Sequence, residues 1–121
     1  MPRRWLQLAL LAAASAAAGH YAAALAAAAS SERVALIATK FAFSNREIRL
    51  RKGQPVTFVL SSPDFVHGFA VPDFNVRQDI VPGRANEVTF TPDRAGRFIF
   101  LCDNFCGEGH DQMAGVLIVT D

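Results

Sequence analysis

Between residues 31 and 121 the chain is punctuated by turn signals, and this constrains its fold more than any other feature. Lys52-Gly53-Gln54-Pro55, Val81-Pro82-Gly83-Arg84 and Thr91-Pro92-Asp93-Arg94-Ala95-Gly96 each place Pro or Gly where a chain must reverse. The runs between them are short and rich in β-branched and aromatic residues. Their spacing predicts strands over 34–43, 47–50, 56–61, 68–71, 76–80, 86–91, 97–101 and 115–120. Alternation supports several of these: Val56, Phe58 and Leu60 fall on one side, and Val88 and Phe90 oppose Glu87 and Thr89. No segment has the periodicity of a helix of ordinary length, so an all-β sandwich or barrel is expected. A length of 121 residues allows one such domain and no second core.

The first thirty residues read differently. Arg3 and Arg4 precede a Leu- and Ala-rich run over 5–29 that carries no acidic or basic charge. That is an export signal or a single membrane anchor. Residues 6–11 form its apolar heart, and Ala26-Ala27-Ala28 or Ala27-Ala28-Ala29 offers the small-x-small pattern of a cleavage site. The run also has the length of about 20 residues that a bilayer span requires, although His20 and Tyr21 interrupt it. Either way, a positive N-terminus stays in the cytoplasm and the rest of the chain is translocated. The chain is expected to work in the periplasm, soluble after cleavage or anchored in the inner membrane, with residues 1–30 as leader and 31–121 as working domain.

From residue 31 onward ten Lys and Arg (the chain's twelve less Arg3 and Arg4) face eleven Asp and Glu, a net charge of minus one with His neutral. This does not support a nucleic-acid footprint. The basic group Arg46, Arg49, Arg51 and Lys52 reads as a solvated strand edge.

The chemistry is concentrated in Cys102-Asp-Asn-Phe-Cys106-Gly-Glu-Gly-His110-Asp-Gln-Met113, between the last two predicted strands. Two thiolates, an imidazole and a thioether form a soft donor set, which favours copper over calcium or magnesium. Gly107 and Gly109 allow tight turning between the donors. A further donor must come from elsewhere, and His67, in Ser62-Pro63-Asp64-Phe65-Val66-His67-Gly68, is the candidate.

Each of these residues has a simpler reading. Two cysteines in an oxidising compartment default to a disulfide, a single His is often a satisfied core residue, and Met fills irregular gaps in cores. A disulfide explains none of His67, His110 and Met113. A mononuclear copper site needs one thiolate with two imidazoles and an axial Met, so this segment has one thiolate too many. A Cys2His2 zinc site has no use for Met113.

Taken together, His67-Gly68-Phe69, then Val81-Pro82-Gly83-Arg84, then Cys-x-x-x-Cys-Gly-x-x-His-x-x-Met resemble the Cu(A) domain of cytochrome c oxidase subunit II, in its short, bacterial, ba3-like variety. The resemblance covers nearly all of residues 31–121. It implies a cupredoxin-like Greek-key β-sandwich holding two copper ions. In proteins similar to this one, thiolates at the positions of Cys102 and Cys106 bridge both metals. Residues matching His67 and Met113 complete one copper, and His110 with the main-chain carbonyl of Asn104 completes the other. Better-known loops carry at the Asn104 position a Glu whose carboxylate also helps hold a magnesium ion. A neutral amide keeps the carbonyl and is a poorer ligand for that hard cation.

The resemblance further implies electron transfer from a c-type cytochrome to the haem-bearing subunit I of a haem-copper oxidase. A free-standing periplasmic copper electron carrier or copper-delivery protein is the alternative. The sequence holds no nucleophile–base pair that would suggest bond chemistry by the chain itself. Phe69 and Phe105 are candidates for an aromatic docking edge, with core packing as the plainer use of a Phe. Asp103, Glu108 and Asp111 bring negative charge that would steer a basic partner or serve only for solvation.

Overall fold

A computed structural model describes residues 31–105 and 107–121. The expectations for residues 1–30 and for Cys106 lie outside the described residues. Ser31–Asp121 forms one compact unit. Its elements are β1 (Glu32–Thr39), β2 (Ala42–Phe43), β3 (Glu47–Arg51), β4 (Val56–Ser61), β5 (His67–Val71), β6 (Val76–Ile80), β7 (Asn86–Phe90), β8 (Gly96–Leu101) and β9 (Ala114–Thr120), with single 3-10 turns at Pro72–Phe74 and His110–Gln112. Among the described residues no helix is long and apolar enough to cross a membrane.

The strands form two sheets, ordered β2-β1-β4-β7 and β3-β9-β8-β5-β6. In the first, β1 lies parallel to β4 from Glu32↔Val56 to Ile37↔Ser61, and β7 closes antiparallel on β4. In the second, β3 lies parallel to β9, and β9 is antiparallel to β8 from Gly96↔Val119 to Leu101↔Ala114. This is the all-β sandwich that the turn spacing predicted.

Alternation explains which face each strand buries. On β3, Ile48 and Leu50 point inward while Glu47, Arg49 and Arg51 point to solvent. On β4, Val56, Phe58 and Leu60 enter the core as predicted. Between the sheets Phe58 and Phe69 lie 4.9 Å apart by ring centroid, Phe43 and Phe100 lie 5.2 Å apart, and Phe69 and Phe100 lie 5.8 Å apart. Large aromatic rings in such tilted and edge contacts dominate the energetics of a core this size. The basic group falls on β3, an outer strand of its sheet, and in the turns that flank it. There Arg49 pairs with Glu47 and Lys52 pairs with Asp121.

The single strand predicted over 34–43 is two strands. Ala38 and Phe43 are both buried, but they are an odd number of residues apart, so one extended strand would send them to opposite faces. The chain turns at Lys40 and Phe41 instead, and β2 folds back on β1 through Ala38↔Phe43 and Thr39↔Ala42. The other strand limits differ from expectation by a residue at most. The most useful of these differences is that β5 begins at His67 itself.

Candidate metal centre

The sandwich brings together candidate donors that are far apart in sequence. Paired β8 and β9 set the ends of the 102–113 segment side by side, and Cys102 N–H donates to the Met113 carbonyl at 3.0 Å. β5 flanks β8 and presents His67 beside Cys102. Both residues, with Met113, are almost wholly buried, at 0%, 2% and 1% exposure. His67 Nδ1 stands 3.9 Å from Cys102 Sγ, although the residues are 35 apart in sequence. Cys102 Sγ also receives the Gly68 N–H at 3.5 Å and donates to the Asn104 carbonyl oxygen at 3.3 Å. Thiol, imidazole and main-chain carbonyl therefore converge on one point.

The other imidazole nitrogen is committed elsewhere. His67 Nε2–H donates to Asp64 Oδ1 at 3.0 Å. A neutral imidazole with its proton on Nε2 has its lone pair on Nδ1, the nitrogen that faces Cys102. Asp64 is itself fixed, accepting the Lys40 N–H at 2.9 Å, the Phe65 N–H at 2.7 Å and the Ser62 hydroxyl at 3.2 Å. The Lys40 N–H first, and His67 after it, hold the Asp64 carboxyl well below the usual carboxylate range. A carboxylate that holds a histidine's second nitrogen is the usual outer support of a metal-bound imidazole. The position of Asp64, in a turn three residues before His67, was a signal available in the sequence.

His110 opens the 3-10 turn His110–Gln112, which the Met113 N–H closes on the His110 carbonyl at 3.0 Å. Its ring lies 5.7 Å by centroid from that of Phe105. The ring of Phe41, from the turn between β1 and β2, packs against Gly107 and Gly109. A Cβ on Gly109 would overlap that ring and its attachment. Phe41 thus backs the half of the loop that carries His110.

The two Phe candidates for a docking edge separate cleanly. Phe69 is fully buried between Phe58 and Phe100, so it is a core residue, whereas Phe105 is 71% exposed. Of the three acids near the loop, Asp111 faces solvent and Glu108 is exposed as well, while Asp103 is held in an ion pair with Arg77.

The family model described as "Cytochrome C oxidase subunit II, periplasmic domain" matches residues 29–120. The chain belongs to this family. A subunit II periplasmic domain lies outside the cytoplasm, in agreement with the location expected from the leader. Cytochrome c oxidase subunit 2 of Thermus thermophilus is 32% identical over 88 residues, which cover 73% of this chain and 65% of that protein. The chain thus spans just under two thirds of the length of this relative. The periplasmic domain of subunit II of the Bradyrhizobium japonicum cytochrome oxidase superposes with a TM-score of 0.70 at 21% identity, covering 74% of this chain and 84% of that one. Auracyanin A, a blue copper protein of Chloroflexus aurantiacus, superposes at 0.60 and 17% identity, over 75% of this chain and 100% of its own. These two likenesses establish the fold as cupredoxin-like, as the sequence motifs implied.

Proposed function

We propose that this domain is the electron-entry module of a haem-copper oxidase and holds a binuclear Cu(A) centre. In this reading Cys102 and Cys106 supply the bridging thiolates, His67 and Met113 serve one copper, and His110 with the Asn104 carbonyl serves the other. The observation that carries the reading is the pairing of His67 Nδ1 with Cys102 Sγ at 3.9 Å while Asp64 takes up Nε2. A disulfide or a packing role for His67 would not require its lone-pair nitrogen to face a thiol inside the core. Two copper ions held by these residues would supply a one-electron couple shared between the metals, with little rearrangement asked of the chain on reduction.

The chain's own residues do the rest. Asp64 fixes the tautomer and ring plane of His67, and the Gly68 N–H places a dipole on the Cys102 sulfur. Burial of His67, Cys102 and Met113 keeps water from that side of the site. Exposed Phe105 beside His110 gives an apolar edge at which a c-type cytochrome can approach, and subunit I of the oxidase is the acceptor. Asn104 offers a neutral amide where the better-known loops offer a carboxylate, so no magnesium ion is held through this side chain.

Rapid mixing of a reduced c-type cytochrome with the oxidised, copper-loaded chain tests the assignment. Prompt oxidation of the cytochrome, matched by bleaching of the copper bands, is expected. A cytochrome that stays reduced beside an intact copper spectrum would contradict an electron-entry role.

A further inference from the structure

Arg77 and Asp103 lie outside the ligand set, yet their ion pair holds the residue that sits between two proposed donors, Cys102 and Asn104. Arg77 Nε donates to Asp103 Oδ2 at 2.5 Å and Nη2 donates to Oδ1 at 3.1 Å, while Nη2 also reaches Asp79 Oδ1 at 2.7 Å. We propose that Arg77 and Asp103 are positioning residues that clamp the first half of the ligand loop onto β5 and β6. The proposal rests on the reading that Cys102 and Asn104 are copper donors.

The fold leaves this task open. Among the described residues β8 pairs with β5 at Ala70↔Leu101 alone, so past Leu101 no strand ladder ties the chain to β5. β6 runs along the far side of β5, with Ala70↔Arg77 and Gly68↔Asp79 in register. The Arg77 side chain therefore crosses β5 at Gly68 to reach Asp103. There the Asp103 carboxylate occupies the space of the missing side chain, and a Cβ on Gly68 would overlap Oδ1. A planar guanidinium gripping a carboxylate through two bonds fixes direction as well as distance. Fixing the Asp103 side chain in this way fixes the backbone on either side of it, and with it the aim of Cys102 Sγ and the Asn104 carbonyl. Arg77 and Asp79 are half exposed and Asp103 is a quarter exposed, so the pair adds little to folding stability. Its consequence is geometric.

The test begins without metal, in the 121-residue chain carrying Cys106→Ser, where Cys102 is the only thiol and its rate of alkylation by a neutral maleimide reports opening of the loop. Arg77→Gln and Asp103→Asn should each speed alkylation several-fold, the double variant should do no more than either single one, and Arg77→Lys should fall between. The two substitutions change the local charge in opposite directions. A purely electrostatic effect on the thiol would therefore move the two rates apart, whereas release of a clamp raises both. In the chain with both cysteines, Arg77→Gln should weaken copper retention against a chelator by about tenfold and alter the copper hyperfine pattern, with far-UV circular dichroism unchanged. Unaltered alkylation in both single variants, rates that move in opposite directions, or unaltered copper retention and spectrum in Arg77→Gln would each overturn the clamp. A parent chain that binds no copper, yet shows the alkylation effects, would refute the Cu(A) reading and leave the clamp standing.

Discussion

Asp64 accepts a hydrogen bond from His67 Nε2 at 3.0 Å, and the opposite nitrogen of the same ring faces Cys102 Sγ at 3.9 Å. The imidazole is thus oriented by the chain before any metal arrives. Asp64→Ala should leave the Nε2 donor of a fully buried ring unsatisfied, at a cost of about 1–3 kcal/mol, which chemical denaturation of the metal-free chain would measure. The same variant should bind copper with altered absorption bands, since His67 becomes free to turn or to change tautomer. Unchanged stability together with an unchanged spectrum would show that Asp64 does not orient His67.

Phe69 and Phe105 look alike in the sequence and should behave oppositely when truncated. Phe69 packs between Phe58 and Phe100 in the middle of the sandwich, so Phe69→Ala should cost about 3–5 kcal/mol. Phe105 is exposed, and Phe105→Ala should move stability by no more than about 0.5 kcal/mol while slowing electron uptake from the cytochrome. Thermal melts and rapid-mixing rates on the two variants separate these effects.

Gly109 has ordinary backbone angles, with φ at −90°, so its freedom from a side chain matters for space and not for conformation. A methyl group there meets the Phe41 ring. Gly109→Ala should destabilise the chain by about 1–3 kcal/mol through overpacking, and adding Phe41→Ala should recover most of the loss. Strict additivity of the two changes in a double-mutant cycle would show that the contact carries no such load.

Much of the fold was legible because turn residues and alternation report local geometry directly. The strand at 56–61 places Val56, Phe58 and Leu60 on one side, and the structure has the same limits there. The run at 34–43 hid a reversal, because the need to bury both Ala38 and Phe43 is set by packing across the sandwich and has no local marker. The proposed donors stand out as residue types at fixed spacing. Of their supports only Asp64, three residues before His67, had a local marker; Arg77 and Phe41 act through contacts that only the folded chain creates, and Asp103, read as a steering or solvated acid, has its charge taken up by a residue 26 positions away.

Asn104 and Met113 should respond to substitution in distinct ways. Asn104→Ala retains the main-chain oxygen and should leave the copper spectrum nearly unchanged, whereas Asn104→Pro restricts the loop backbone and should disturb it. Met113→Leu should keep both copper ions and shift the reduction potential, because a weak axial donor tunes the metal more than it holds it. Loss of the binuclear spectrum in folded Asn104→Ala would transfer the ligand role from the carbonyl to the side chain.

The central claim is that this domain holds two copper ions bridged by Cys102 and Cys106. Copper analysis of the loaded chain, combined with its absorption and electron-spin-resonance spectra, tests that claim most directly. Two copper ions per chain, a purple colour and a hyperfine pattern in which both nuclei share one electron equally are expected, all lost in Cys106→Ser. A single copper ion per chain with a blue spectrum, or survival of the shared-electron pattern in Cys106→Ser, would contradict it.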